Sequence, residues 1–364
     1  MSWKKVFLDL YMSFDYEKYK KALELKRKNF PNKLYRYRSL TTEAHLERVG
    51  DEIETGTIFL SHRKDFNDPF DSVPLLQYTQ ANYYFNNDIR KNEFKKHLFK
   101  YYTSEEIEDV FSNDDWYSKA IALFAKQIVN ETKSPKTEFD IANEINNTFM
   151  EPYEETTQTI CYNLNTLRIA CFSELHNNLP MWAHYANNHT GVCLEYDIKS
   201  ILEAHTLDHI LNFLYPVFYV KVLPDSVNGI YGKYWVDFDE ERKQPKTENN
   251  TWRVHPIIDY PSIHKLKEWQ YEREWRLIQN IAFFRKRLDV TVTDMFNYEK
   301  GIPMIFNKPS RVYLGYNISK NNENSIIETC QKSNIPFSRM EVTHYGLKIK
   351  EKPVSPKTQT IKNR

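Results

Sequence analysis

Glycine is scarce in this chain. Eight of 364 residues are glycine, and none falls in a G-x-G-x-x-G or G-x-x-x-x-G-K-S/T arrangement. Loops that cradle phosphate need glycine because backbone N–H groups must reach the ligand without a Cβ in the way. The scarcity argues against a Rossmann-type dehydrogenase, a P-loop NTPase and a kinase, so any bound nucleotide must be held by side chains. Cysteine is sparse too. Cys161, Cys171, Cys193 and Cys330 form no C-x-x-C pair, which reads as reduced thiols in a cytoplasmic protein. No signal-peptide core and no apolar run of about 18 residues is found, so no membrane partner is expected. Charge of one sign is also missing. Lys+Arg 50 against Asp+Glu 49 gives a net charge of +1, which excludes a uniformly basic nucleic-acid binder and leaves room for a local basic face.

What the chain does hold is aromatic and charged. Aromatic residues make up 15%, charged residues 27% and hydrophobic residues 41%, a globular composition. Four boxes concentrate both classes: Tyr35-Arg36-Tyr37-Arg38-Ser39, Phe66-Asn67-Asp68-Pro69-Phe70-Asp71, Met181-Trp182-Ala183-His184-Tyr185 and Tyr271-Glu272-Arg273-Glu274-Trp275-Arg276. A core favours side chains without unpaired polar atoms. Boxes that mix Arg, Glu, Asp and His with Tyr and Trp fit the lining of a polar cleft with aromatic walls.

The hydrophobic pattern predicts an α+β protein. Residues 1–33 read as an N-terminal helical segment and 34–350 as one α+β domain. Strands are expected at 34–39, 56–61, 168–173, 191–196, 215–222, 272–278 and 311–315. A helix from Thr41 or Thr42 to Val49 is expected to stop near Gly50. About 75–165 reads as a helical insertion, with a capping-box match at Thr103 and Glu106, Asp114 or Asp115 capping the helix through Ala120 to Val129, and Ser134-Pro135 breaking it. Residues 224–260 read as a long loop or ragged hairpin, and 351–364 as a flexible tail.

Each box has a structural reading beside a functional one. On a strand, Leu34, Arg36 and Arg38 share one face and Tyr35, Tyr37 and Ser39 the other. Two arginines on one face form a fork for phosphate or carboxylate, or simply face solvent. Asn67-Asp68-Pro69 signals a turn, either rigid for its own sake or supporting a cleft wall. Asn178 and Pro180 start a short helix that places Met181, His184 and Tyr185 on one face beside Trp182. There His184 either packs or stacks on substrate. In the fourth box, strand alternation would align Glu272, Glu274 and Arg276, as an ion-pair ladder or as cleft carboxylates.

The order of these boxes, together with Cys171-Phe172-Ser173-Glu174 and Gly191-Val192-Cys193-Leu194-Glu195-Tyr196, resembles a widespread bacterial family of unknown function over about 34–316. The early strand with a basic residue, the Ile58-Phe59-Leu60-Ser61 strand and the late strand with a glutamate are also similar to the layout of ADP-ribosyltransferases. That resemblance implies a split, mostly antiparallel β-sandwich-like core that binds NAD without a glycine-rich loop. It implies that Arg36 or Arg38 holds the NAD phosphate or ribose, and that Ser61 sits beside the nicotinamide ribose. Glu274 would bond the ribose hydroxyl and stabilise an oxocarbenium-like transition state. Glu272 occupies the place two residues ahead. Tyr37, Trp182, His184, Tyr185, Glu272 and Arg276 complete the expected NAD-binding set, and Glu274, Ser61 and Arg38 the catalytic one.

The expectation is an enzyme that cleaves NAD and modifies a macromolecular acceptor, protein or nucleic acid, as a toxin-like or phage-defence effector. Two alternatives remain open. One is a metal-dependent nuclease or phosphodiesterase using Asp68, Asp71, Glu174, His184 and Glu274. The other is a non-catalytic sensor or interaction module that binds a ligand in the same cleft.

Overall fold

The computed structural model describes residues 2–13, 15–72, 95, 98, 101–112, 115–133, 135–145, 164–223, 259–281, 301–343 and 349–353. The chain divides into two compact units, one of residues 1–72, 165–222 and 262–364, the other of 73–164 and 223–261.

The first unit is α+β. Helices α1 (Trp3–Tyr11) and α2 (Tyr16–Lys28) are followed by strand β1 (Lys33–Arg38), helix α3 (Glu43–Glu54) and strand β2 (Thr57–Leu60). Asp15 caps α2 and Thr42 caps α3, each accepting a backbone N–H of the first turn. In the second unit, α4 (Ser104–Phe111) and α5 (Trp116–Thr132) bury Ile107, Val110, Phe111, Trp116, Tyr117 and Ala120 in one cluster. Thr103 and Glu106 make the expected reciprocal cap of α4. Asp115 precedes α5 without a side-chain capping bond, and Lys133 closes the helix in the left-handed conformation. The expected break at Ser134, the alternative cap Asp114 and most of 224–260 lie outside the described residues.

The first unit continues with β3 (Leu167–Ser173), α6 (Leu179–Tyr185), β4 (Val192–Asp197), α7 (Ile198–Ala204), α8 (Asp208–Leu211), β5 (Leu214–Pro216) and β6 (Phe218–Val220). After the second unit's last segment come β7 (His264–Leu266), β8 (Glu274–Asn280), β9 (Ile302–Ile305), β10 (Arg311–Leu314), α9 (Lys320–Lys332), β11 (Phe337–Val342) and β12 (Ile349–Pro353). An eight-stranded sheet runs in the order β12-β11-β10-β4-β1-β3-β8-β5, and its neighbours are antiparallel except β10 with β11. Strands β2 and β9 form a separate antiparallel pair, and β6 and β7 a parallel one.

Strand alternation gives the sheet two different faces. One carries Leu34, Phe172, Leu194, Trp275, Leu277 and Val312, which pack with Ile58 and Leu60 of β2, Met304 of β9, Val49 and Ile53 of α3 and Ile326 of α9. The other carries Tyr35, Tyr37, Cys193 and Tyr313, covered by Met181 and Trp182 of α6. The sheet opens between β1 and β3. These strands share one register pair, Tyr35 with Ser173, while farther along β3 Ile169 exchanges both main-chain hydrogen bonds with Ser61 just beyond β2.

Four sequence expectations are corrected. Helix α3 runs through Gly50, whose added Cβ would meet nothing, and stops before Gly56, which has φ +76°. A mid-helix glycine costs only about 1 kcal/mol, so the left-handed position downstream sets the end. Within 215–222 the chain makes two short strands, because Val217 donates to Glu274 O while Phe218 donates to Ile263 O, so the partner changes after Val217. Residues 267–272 form a 3₁₀ helix, and β8 begins only at Glu274 after Arg273 at φ 44°. Residues 351–353 of the expected tail belong to β12, which pairs with β11, and 354–364 lie outside the described residues.

The first box is buried against α3. Glu52 is fully buried, with Arg36 Nη1 at 3.4 Å, Arg38 Nε at 3.2 Å and the Tyr196 hydroxyl donating at 2.8 Å. Neither arginine is the solvent-facing residue of the structural alternative. Replacing Glu52 by alanine should leave this cation pair uncompensated and destabilise the fold by about 3–5 kcal/mol, read as a lower urea midpoint at unchanged slope.

Candidate functional site

On the α6 side of the sheet, five ionisable side chains meet. Arg276 of β8 is fully buried. It donates from Nε and Nη2 to the two oxygens of Glu274, both at 2.9 Å, and from Nη1 and Nη2 to Asp71 at 2.7 and 2.6 Å. Its remaining donor reaches Ser262 O at 2.7 Å. All five guanidinium N–H groups therefore have acceptors. The partner Asp71 comes from the Phe66–Asp71 box, whose turn is set by Asp68 accepting the Phe70 N–H at 2.9 Å. Asp71 thus pairs with arginine.

Lys265 of β7 is the second cation. Its Nζ lies 2.6 Å from Glu272, 3.4 Å from Asp71 and 3.5 Å from Glu274. The Tyr185 hydroxyl donates to the other oxygen of Glu272 at 2.5 Å, and Asn67 Oδ1 lies 3.3 Å from that hydroxyl. Glu272 sits at the end of the 3₁₀ turn, held by its carbonyl accepting from Ser173 Oγ at 2.7 Å. The left-handed Arg273 then reverses the chain's phase. Glu272 and Glu274 reach the same cavity by this reversal and not by strand alternation.

Among the described residues three buried carboxylates face two buried cations. Burial, then the neighbouring Glu274 charge, raise the Glu272 carboxyl to about 7. Burial acts on Glu274 in the same direction but is outweighed by Arg276 and Lys265, which hold its carboxyl well below the usual range. Burial pulls Lys265 down, yet Glu274, Asp71 and Glu272 prevail and raise it. The Cys171 thiol beside Glu274 is pushed up by burial and by that carboxylate. Environments that push two neighbouring carboxyls apart are the pattern of an acid–base pair.

Two cavities adjoin here. The smaller, about 80 Å³, is lined by Glu272, Glu274, Lys265 and Asp71 under walls of Tyr35, Tyr37, Phe66 and Tyr185. The larger, about 870 Å³, is lined among the described residues by Arg38, His45, Arg48, Ser61, Asp65 and His184 together with Phe59 and Gly301. Tyr37 and Tyr185 line both.

The expected site residues are therefore distributed. Glu272, Glu274, Tyr37 and Tyr185 meet at the small cavity, with Arg276 beneath it. Arg38, Ser61 and His184 line the large one. Arg36 reaches neither. It lies on the opposite face of the sheet, against Glu52, Phe59 O and the Phe172 ring. Trp182 is a packing residue, edge-on to Tyr37 and donating its indole N–H to His176 O. The five groups of the metal-dependent alternative do not form one ligand set. Asp68 closes its turn, Glu174 accepts the Trp275 indole N–H at 2.8 Å, His184 lines the large cavity, and Asp71 and Glu274 converge on Arg276. Among the described residues no three His, Cys, Asp or Glu side chains are grouped to hold a metal. Sequence reasoning missed Lys265, His45 and Arg48. The unmatched negative charge of the second and fourth boxes signals a cation like Lys265, but nothing local to Ser262-Ile263-His264-Lys265 marks it.

Residues 181–277 match a family model described as protein of unknown function (DUF2971). The match spans Tyr185, Lys265, Glu272, Glu274 and Arg276 and excludes the two boxes before residue 72. No curated protein and no solved structure matches the chain. Among the described residues no helix is long and apolar enough to cross a membrane.

Two outcomes follow from the charge cluster. Arg276→Met should strand Asp71 and Glu274 as buried carboxylates and cost about 3–5 kcal/mol, measured by urea unfolding. Glu272, whose folded pKa lies above its unfolded value, binds more protons folded than unfolded between about pH 4.5 and 7. Its contribution to stability is therefore greatest below that window and is lost as pH rises through it. In Glu272→Gln this fall should vanish, so the variant gains on the wild type from pH 5 to pH 8 in a urea-midpoint series.

Proposed function

We propose that this protein cleaves the bond between nicotinamide and ribose in NAD and transfers ADP-ribose to a macromolecular acceptor. The observation that supports this reading is the junction of the two cavities. A carboxylate pair with opposed proton affinities adjoins, across Tyr37 and Tyr185, a cleft with two arginines and a volume typical of cofactor-sized sites.

The roles follow from the electrostatics. Glu274 stays ionised and is fixed by Arg276, so it suits stabilisation of a positive ribosyl carbon. The C1′–N bond breaks with its electron pair leaving on neutral nicotinamide. The acceptor's O–H or N–H then attacks C1′, and its proton passes to Glu272, which exchanges protons near neutrality. Tyr185 orients Glu272 through its 2.5 Å hydrogen bond. Ser61 and Arg38 bound the part of the cleft that takes the rest of the dinucleotide. Such an activity fits a toxin-like or phage-defence effector acting on protein or nucleic acid.

One observation favours a second reading, a ligand-binding module without chemistry. Both oxygens of Glu274 are already held by Arg276, as in a purely structural ion pair. NAD carrying separate labels on nicotinamide and on adenine distinguishes the two. The catalytic reading expects nicotinamide release, slowed about a hundredfold or more by Glu272→Gln or Glu274→Gln in variants that bind NAD normally. Binding without release from the wild type, in the presence of cell extract as acceptor, abandons it in favour of the module.

A further inference from the structure

We infer that the large cavity is a phosphate site whose principal ligand is Arg48 of α3, with His45 beside it, rather than an arginine of β1. The inference rests on the proposed reading in assigning these phosphates to the substrate, but the binding itself is separable from cleavage.

The two cavity arginines differ in how their charge is met. Arg38 is paired with Glu52, a buried carboxylate that Arg36 and Tyr196 also engage. Drawing Arg38 toward a ligand would weaken that network. Arg48 is half-buried one turn before Glu52 on the same helix, and no carboxylate pairs with it among the described residues. Its guanidinium lies on the Phe59 ring, 3.8 Å from the centroid. Stacking fixes the plane of the group while leaving its in-plane N–H donors for a partner. Phe59 itself is set by its pairing with Pro303 of β9, so the cation is held on a sheet rather than on a loop.

The neighbours complete an electropositive lining. His45 accepts or donates at 3.0 Å with the Thr41 hydroxyl, and burial, then Arg38 and Arg48, depress its pKa. The cations are therefore close enough to repel its proton. His184 and the residues Ser39 and Ser61 line the same space. Asp65 is the one acid among the described lining residues, and its carboxylate accepts the His62 N–H at 3.3 Å. A cavity with more cation than anion, preorganised guanidinium geometry and no glycine loop suits a phosphate or diphosphate ester bound by side chains.

Calorimetric titration of the full chain with ADP, inorganic pyrophosphate and adenosine tests this at fixed low salt, where surface screening is small. ADP and pyrophosphate should bind, and adenosine at least about tenfold more weakly. Arg48→Gln should weaken ADP by about tenfold or more, and Arg48→Lys should fall between, because an ammonium keeps the charge but loses the fork. The His45 titration midpoint, followed by NMR, should rise when ADP is added, which a merely structural role for Arg48 would not produce. Equal affinity for ADP and adenosine, no binding of either phosphate, or unchanged ADP affinity in Arg48→Gln overturns the inference. ADP binding that depends on Arg48 with no nicotinamide release leaves it standing while the catalytic reading falls. NAD cleavage with an unaltered KM in Arg48→Gln does the reverse.

Discussion

The ion-pair network of Arg276 is the constraint on which the site depends. A guanidinium withdrawn from water must have all its donors met and its charge opposed. Here Asp71 and Glu274 do both, and in doing so they join the Phe66–Asp71 turn to β8 across about two hundred positions of sequence. That junction forms the wall and floor of the small cavity. It also sets the protonation pattern. With Lys265 added, two cations oppose three carboxylates among the described residues, and burial, then the charge of Glu274, raises the affinity of Glu272 for a proton. Burial beside the Glu274 carboxylate is what gives this cluster a group that exchanges protons near neutral pH.

The eight-stranded sheet is the second constraint, because it is a partition. The alternation that turns Leu34 and Phe172 into the core carries Arg36 with them, toward Glu52 and α3. The residues between them turn to the other side, where Tyr35 and Tyr37 meet α6 and Glu274 meets Arg276. Arg36 and Glu274 thus belong to opposite faces although they lie two strands apart. What lets the two sides communicate is the opening between β1 and β3. There Ser61 and Ile169 replace the pairing that β1 would have made. Arg38 and Ser61, at that opening, line the large cavity next to Tyr37 and Tyr185.

Local features were legible in the sequence wherever a local cause determines them. The helix starts at Thr42, Thr103 and Asn178 follow from side chains that accept first-turn N–H groups. The strands around 34–38, 167–173 and 192–197 follow from β-branched and aromatic residues with short turn signals at their ends. Other positions take a conformation set by distant partners. Gly50 is harmless inside a helix whose stop is imposed where Gly56 packs against the backbone of Asn307 and Lys308. The strand expected over 272–278 begins only at Glu274, because the carbonyl of the left-handed Arg273 accepts the Glu174 N–H just beyond β3.

Composition and pattern already specify the class of the molecule and the ingredients of its site. It is an α+β chain too poor in glycine for a phosphate-cradling loop, with acids, arginines and aromatics gathered in four boxes. Only the tertiary structure decided which of these meet. Pairing Asp71 with Arg276, recruiting Lys265 from an unmarked segment and separating Arg36 from Glu274 are outcomes of strand order and sheet face. Composition fixes how many charges a chain must neutralise. Which charge neutralises which depends on distances of a few ångströms between segments far apart in the chain, and Coulomb energies in a buried site are decided at that range.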